Sequence, residues 1–122
     1  MIYVGIDISK YKHDCFICND TGEVIVENLS FDNNKKGFQQ FLDLLKPYDN
    51  SNVRIGLEAT GHYGLNLKLF LEKNNYSFME FNPLLVKDFV KSLTLRKTKT
   101  DKVDASIICR KLMSVPYKSN SV

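Results

Sequence analysis

The chain has 122 residues, of which 43% are hydrophobic and 25% charged, and this composition is typical of one globular domain with one core. No apolar run approaches the ~18 residues of a membrane helix, and no basic segment precedes an apolar one at the N-terminus. The sequence therefore predicts a soluble, cytoplasmic protein with no signal peptide and no membrane partner. The net charge of +3 is unevenly distributed, since residues 87–111 hold eight Lys or Arg and three Asp. This distribution predicts a basic face near the C-terminus.

The first third of the chain is predicted to form three strands. Apolar and β-branched residues alternate with other residues over 2–9, 12–19 and 23–30, which is the period of a strand. Because the connections are short, we expect these strands to pair as an antiparallel meander. A helix follows, since the Asp-Asn-Asn at 32–34 offers an N-cap, apolar residues recur at helical spacing, and Pro47 ends the pattern.

The rest of the chain alternates between strands and helices. A strand, a helix and a second strand in succession favour a parallel crossover. An Asn-Pro pair opens the helix that comes next, because Asn is a good N-cap and Pro suits the first helical position. Strands are predicted over 52–58 and 76–80, helices over 62–73, 82–92 and 101–113, and a basic polar loop over 94–100.

These elements predict an α/β fold with a mixed five-stranded sheet in the order 3-2-1-4-5, flanked by helices. One domain is expected over residues 1–115, and residues 116–122 are expected to be a tail or the start of a linker. The first and fourth strands are neighbours in this order. Asp7 and Glu58 therefore fall on adjacent central strands.

The three cysteines predict buried thiols and no metal centre. Cys15 and Cys18 have the C-x-x-C spacing of many zinc sites, but they lie in a predicted strand, where residues three apart face opposite sides. No second Cys or His pair completes a zinc site. An odd cysteine count, with Cys109 as the third, favours reduced thiols.

Four carboxylates occupy positions that one fold would bring together. Asp7 and Glu58 end neighbouring strands, and an unpaired carboxylate buried there is costly. Asp101 and Asp104 are three apart in a predicted helix, so they are expected to share a face. Oxygen ligands of this kind suit Mg²⁺, with Mn²⁺ as an alternative, and such ions support phosphodiester chemistry.

Basic residues near these carboxylates predict contacts with a nucleic-acid backbone, because Lys and Arg neutralise phosphates. The candidates are Lys10, Lys87, Lys91, Arg96, Lys97, Lys99 and Lys102.

Each of these residues also has a simpler interpretation. A carboxylate at a strand end is commonly a solvated turn residue, and Asp at a helix start stabilises the helix dipole without any other task. His62, near Glu58, either assists proton transfer or is an ordinary residue at a helix start. Only the four carboxylates taken together favour a catalytic site.

The sequence resembles the N-terminal RuvC-like domain of DEDD insertion-sequence transposases, the group associated with a bridge RNA. The resemblance covers about residues 2–113, and the first motif alone is weak. It rests on Val4-Gly-Ile-Asp7-Ile-Ser-Lys10, Gly56-Leu-Glu58-Ala-Thr-Gly-His-Tyr63, Asn82-Pro83 and Lys97-Thr-Lys-Thr-Asp101-Lys-Val-Asp104-Ala105.

This resemblance implies an RNase H-like fold and a Mg²⁺-binding tetrad of Asp7, Glu58, Asp101 and Asp104. It also implies a DNA transposase or recombinase that works on DNA with a guide RNA, as a homo-oligomer. The resemblance further implies a C-terminal domain with a serine nucleophile in complete members, and we expect this sequence to lack that domain. The chain alone is therefore expected to bind metal and nucleic acid without completing transposition.

Three other functions remain open at this point. A RuvC-type Holliday-junction resolvase would use a similar tetrad, although the stretch around Glu58 and the basic segment from Lys97 to Lys102 favour the transposase. An actin-like or sugar-kinase ATPase fragment also has an Asp on its first strand, but it needs a glycine-rich phosphate turn. A non-catalytic nucleic-acid-binding module would make the carboxylates structural.

Overall fold

The computed structural model describes residues 1–58, 61–93 and 104–119. Its strands are β1 (Ile2–Asp7), β2 (Lys12–Asn19), β3 (Val24–Asp32), β4 (Val53–Glu58) and β5 (Phe78–Phe81). Its helices are α1 (Lys35–Leu45), α2 (Leu65–Lys73), α3 (Pro83–Leu93) and α4 (Ala105–Ser114), with a single 3₁₀ turn at Asn50–Asn52 among the described residues.

The five strands form one mixed sheet in the order β3-β2-β1-β4-β5. The strands β1, β2 and β3 pair antiparallel, whereas β1 with β4 and β4 with β5 pair parallel. The predicted fold class, strand order and meander are therefore confirmed. None of the helices in the described ranges has the length and apolar character needed to cross a membrane.

One face of the sheet carries the larger core. Side chains at alternate positions of β1 and β4, among them Val4, Ile6 and Ile55, are fully buried beneath α1 and α2. Helix α1 contributes Phe38 and Phe41 because its apolar residues recur at helical spacing. Asn34 caps this helix by accepting a hydrogen bond from the Gly37 N–H at 2.8 Å. The packing of this larger core holds the central strands and α1 together.

The opposite face holds α3 and α4 over a smaller core of Phe81, Val86, Ile108 and Leu112. Helix α4 lies against β1, since a Cβ added to Gly5 would come within 2.2 Å of the Ala105 carbonyl oxygen. Only glycine permits so close an approach. The first strand and the last helix are thereby held in direct contact.

The three cysteines are buried, and Cys15 and Cys18 face opposite sides as predicted. Cys15 belongs to the larger core, and burial raises the pKa of its thiol to about 12. The Cys18 Sγ lies 3.3 Å from the Cys109 Sγ and 3.3 Å from the Met113 Sδ of α4. Through these two contacts, β2 packs against α4.

The predicted start of the last helix is wrong. Helix α4 begins at Ala105, and Asp104 has an extended backbone with φ −114° and ψ 178°. Asp104 is the N-cap, a position that Asp favours over the first turn because its side chain accepts a hydrogen bond from a free N–H. The expected sharing of a helix face with Asp101 therefore does not apply, and Asp101 itself lies outside the described residues, as does the predicted loop 94–100.

The chain beyond α4 continues to pack against the sheet. Val115 and Tyr117 lie against the smaller core, and the Tyr117 hydroxyl shares a hydrogen bond of 2.7 Å with Ser77 Oγ. The Arg54 guanidinium lies 5.2 Å from the centre of the Tyr117 ring. Packing against the sheet therefore continues as far as Tyr117.

Candidate metal and nucleic-acid site

Asp7 is the last residue of β1 and is half-buried. Residues two apart on a strand share a face, so Asp7 follows Gly5 on the side of the sheet that α4 covers. Asp14 of β2 lies directly opposite Asp7 in the antiparallel ladder. The hydroxyl of Ser30 donates a hydrogen bond to Asp14 Oδ1.

Asp104 reaches the same region from the start of α4. Its Oδ1 accepts a hydrogen bond from the Ile107 N–H at 3.1 Å and another from the Ser106 hydroxyl at 2.6 Å. The side chain is exposed. Its carboxylate therefore caps the helix from a position that a dissolved ion can reach.

Asp7 and Asp104 line one cavity of about 380 Å³. Sequence reasoning had not selected Asp14 and Glu27 as part of this site. The register of the first hairpin would have placed Asp14 beside Asp7, whereas no sequence pattern pointed to Glu27. The residues around the cavity are Asp7, Asp14, Phe16, Glu27, Asn28, Asp104, Ala105 and Ser106.

Glu58 ends β4, the parallel neighbour of β1, but it is not among the residues that line this cavity. Partial burial raises the pKa of Glu58, and the positive charge of Lys87 on α3 opposes that rise. The structure therefore brings Asp7 and Asp104 together, and it places Glu58 one strand away, beside a lysine.

The donor chemistry of the cavity suits a hard cation, because carboxylate oxygens are the ligands that Mg²⁺ prefers. Within residues 1–58, 61–93 and 104–119, no three His, Cys, Asp or Glu side chains are grouped closely enough to hold a metal ion by themselves. Mg²⁺ is commonly held by one or two carboxylates with water and phosphate oxygens, so the two carboxylates Asp7 and Asp104 fit such a site.

Three of the predicted nucleic-acid-binding residues belong to the described chain, and all three are exposed. Lys10 follows β1 and its amino group lies 5.1 Å from the centre of the Tyr11 ring. Lys87 and Lys91 lie on α3. Arg96, Lys97, Lys99 and Lys102 lie outside the described residues.

His62 is exposed, and its ring centre lies 4.6 Å from that of Tyr63. The contact places two aromatic rings on the segment that follows Glu58.

Comparison with known proteins agrees with the sequence motifs and the sheet. The family model of DEDD transposases of the IS110 type, described as transposase, matches residues 4–121. Pilin gene-inverting proteins of Moraxella bovis and Moraxella lacunata are each 36% identical to the chain over 111 residues. The aligned part is 88% of this chain and 33% of each relative, so the chain spans about a third of their length.

A solved structure shares the fold. The structure titled T. thermophilus RuvC in complex with Holliday junction substrate superposes with a TM-score of 0.56, covering 89% of this chain and 90% of that one. Only 9% of the aligned residues are identical, so this likeness shows a RuvC-like fold alone. The family match over nearly the whole sequence goes further, and the chain belongs to the IS110-type DEDD transposase family.

Proposed function

We propose that this chain is the N-terminal catalytic domain of a DNA transposase or recombinase. In this proposal Asp7, Glu58, Asp101 and Asp104 hold Mg²⁺ or Mn²⁺ at the phosphodiester that reacts. The observation that carries the proposal is that Asp7, from the first strand, and Asp104, from the start of the last helix, line one cavity.

The described residues have distinct tasks in this proposal. Asp7 and Asp104 supply oxygen ligands from two rigid elements, and the N-cap bonds of Asp104 fix its orientation. Glu58 adds a carboxylate from the neighbouring strand, and its partial burial raises its pKa. A bound divalent ion supplies charge stabilisation at the phosphorus and a more acidic bound water. Lys87 attracts the DNA backbone beside Glu58.

The finer parts of the proposal come from the family. We infer that the complete protein acts on DNA segments, since the relatives are named for the inversion of a gene. A guide RNA, assembly into a homo-oligomer, a domain boundary near residue 115 with a linker after it, and a serine nucleophile in a further domain belong to the same proposal.

The test is a titration of the 122-residue chain with Mg²⁺ and Mn²⁺, followed by calorimetry. Asp7→Asn and Asp104→Asn each remove one charge while keeping the size of the side chain. Asp49→Asn is the matched control, because Asp49 also caps a helical turn, by accepting from the Ser51 N–H at 3.1 Å. We expect saturable binding that both site variants weaken at least tenfold and the control leaves unchanged.

If the wild-type chain shows no binding, the titration is repeated with a DNA oligonucleotide present, since phosphate oxygens complete many Mg²⁺ sites. Absence of binding in both experiments would overturn the metal site. Equal weakening by all three variants would assign the effect to altered folding.

A second candidate function is a non-catalytic nucleic-acid-binding module. It is favoured by one observation, namely that the described residues contain no group of three metal-binding side chains. Under this alternative, nucleic-acid binding is insensitive to divalent ions and to Asp7→Asn. A junction resolvase shares the fold, but the family match favours the transposase.

A further inference from the structure

Two loops that follow the carboxylates of the central strands are joined by one side chain. The amide nitrogen Nδ2 of Asn33 donates to the carbonyl oxygen of Lys10 at 3.0 Å and to that of Tyr63 at 3.1 Å. The backbone N–H of Asn33 donates to the carbonyl of Tyr11 at 2.9 Å. Lys10 and Tyr11 follow Asp7, and Tyr63 follows Glu58, so Asn33 holds the two loops side by side.

Asn33 is half-buried, near the buried side chain of His13. Its Oδ1 and the Nε2 of His13 are both buried with no hydrogen-bond partner among the described atoms. The Nδ1 of His13 accepts from the Ser9 N–H at 3.2 Å, so the ring proton is on Nε2. Burial lowers the pKa of His13, and the nearby Asn33 side chain opposes that change. The amide that joins the loops therefore lies near a buried imidazole.

The joined loops expose aromatic rings next to positive charge. We define the two-loop surface as Lys10, Tyr11, His62 and Tyr63. Tyr11 is 77% exposed and Tyr63 is 38% exposed. The Lys10 amino group lies over the Tyr11 ring, and exposed Lys12 comes next in sequence. Lys35 and Lys36, also exposed, follow Asn33 by two and three residues.

Exposed flat rings combined with lysines are the elements with which proteins bind single strands. Unpaired bases stack on aromatic faces, and the lysines neutralise the phosphates between them. A duplex hides its base faces in its own stack, so it gains only the electrostatic part. The two-loop surface therefore suits a strand with unpaired bases better than a duplex.

We propose that the two-loop surface binds unpaired nucleotides of a DNA strand and that Asn33 is the positioning residue that organises it. DNA is chosen because the two loops follow Asp7 and Glu58 in the chain, the carboxylates that the proposed function assigns to DNA, and the inference rests on that proposed function for its substrate. Binding by stacking needs no divalent ion. It can therefore be measured in the presence of a chelator, separately from the metal site.

The first test measures binding of a fluorescent oligothymidylate by anisotropy, with EDTA present, beside a hairpin duplex of equal charge. Tyr11→Ala removes the ring, Tyr11→Leu keeps apolar area without a flat face, and Tyr11→Phe keeps the face. We expect Tyr11→Ala and Tyr11→Leu to weaken strand binding on the order of tenfold and Tyr11→Phe to stay within about twofold of wild type. Duplex binding should stay unchanged in all three variants. The melting temperature should not change, because Tyr11 is exposed.

The second test concerns Asn33. Asn50 is a matched control, since its Nδ2 also donates to two loop carbonyls, those of Asn74 at 3.0 Å and Asn75 at 3.3 Å. Asn33→Ala and Asn50→Ala should both lower the melting temperature. Only Asn33→Ala should weaken binding of the single strand, by about the same factor as Tyr11→Ala.

Several results would overturn the inference. One is the absence of single-strand binding by the wild type, and another is a Tyr11→Ala affinity within twofold of the wild-type affinity. A third is a Tyr11→Ala variant that loses duplex binding and single-strand binding equally. A loss seen with an RNA strand but not with DNA would refute the choice of DNA. Failure of the metal titration alongside normal strand binding would overturn only the metal site of the proposed function.

Discussion

Gly5 lies directly beside Gly56 on the neighbouring parallel strands β1 and β4. A Cβ on Gly5 would meet the backbone of α4, 2.2 Å from the Ala105 carbonyl oxygen and 2.5 Å from the Cys109 nitrogen. A Cβ on Gly56 would meet side chains instead, 2.9 Å from Phe81 Cε2. The pair forms a shallow trough in the sheet, and α4 lies in it with Asp104 at its start.

Gly5→Ala should therefore destabilise the protein, because backbone atoms of α4 cannot move aside as a flexible side chain can. We expect a loss of about 3 kcal/mol in the free energy of unfolding, the upper end of the usual cost of overpacking. Urea unfolding measures it. Gly64→Ala is the control, since its Cβ would lie 3.6 Å from Ile8 atoms, and a comparable loss there would contradict the explanation.

The cap of α4 predicts different stabilities for two changes at Asp104. Asp104→Ala removes the acceptor for the Ile107 N–H and should cost about 1 kcal/mol of unfolding free energy. Asp104→Asn keeps an acceptor and should cost less than half of that. Thermal unfolding of both variants without metal checks this, and equal losses would show that the cap bond contributes little.

Glu58 predicts a pH dependence of stability. Burial raises its pKa above the ordinary value of 4.5, so the folded protein retains the proton to higher pH than the unfolded chain. The free energy of unfolding should consequently fall as the pH rises from 4.5 through the folded pKa, and Glu58→Gln should abolish that fall. The free energy of unfolding, measured from pH 4 to 8, tests this prediction. If its dependence on pH is the same in Glu58→Gln as in the wild type, the assignment to Glu58 is refuted.

Lys87 offers a second check on Glu58, because its charge opposes the rise in pKa. Lys87→Gln should raise the pKa of Glu58 further. Carboxyl carbon shifts followed by NMR during a pH titration report this directly. A pKa that stays the same or falls would place Lys87 too far from Glu58 to matter.

His13 predicts the opposite dependence. Burial lowers its pKa from 6.5, while Asn33 and the charge of Asp14 oppose the change. The unfolded chain then binds the proton more readily, so stability is complete above pH 6.5 and falls as the pH drops below it. His13→Gln should flatten this decline. An equal decline in the variant would assign the acid sensitivity to other groups.

The strand order was predictable because each strand has a clear period and the connections are short. The start of α4 was not predictable, since Asp is favoured at a helix start and both Asp101 and Asp104 are candidates. Only the extended backbone of Asp104 identifies it as the N-cap. The approach of Asp7 to Asp104 depends on Gly5, whose role requires knowing which helix lies above it. Asn33 was not identified, because a residue that joins two loops leaves no periodic signal.

The contact between β1 and α4 joins the start of the chain to its end, and this has a consequence for biosynthesis. At about 5–20 residues per second, a ribosome needs roughly 5–20 s to proceed from Asp7 to Asp104. From the synthesis of Gly56 until that of α4, the trough at Gly5 and Gly56 lacks the helix that covers it, and Cys18 lacks its contact with Cys109. The face of the nascent sheet that α4 later covers is therefore exposed during this time. Chaperones would bind the protein at that face before the acidic cavity has formed.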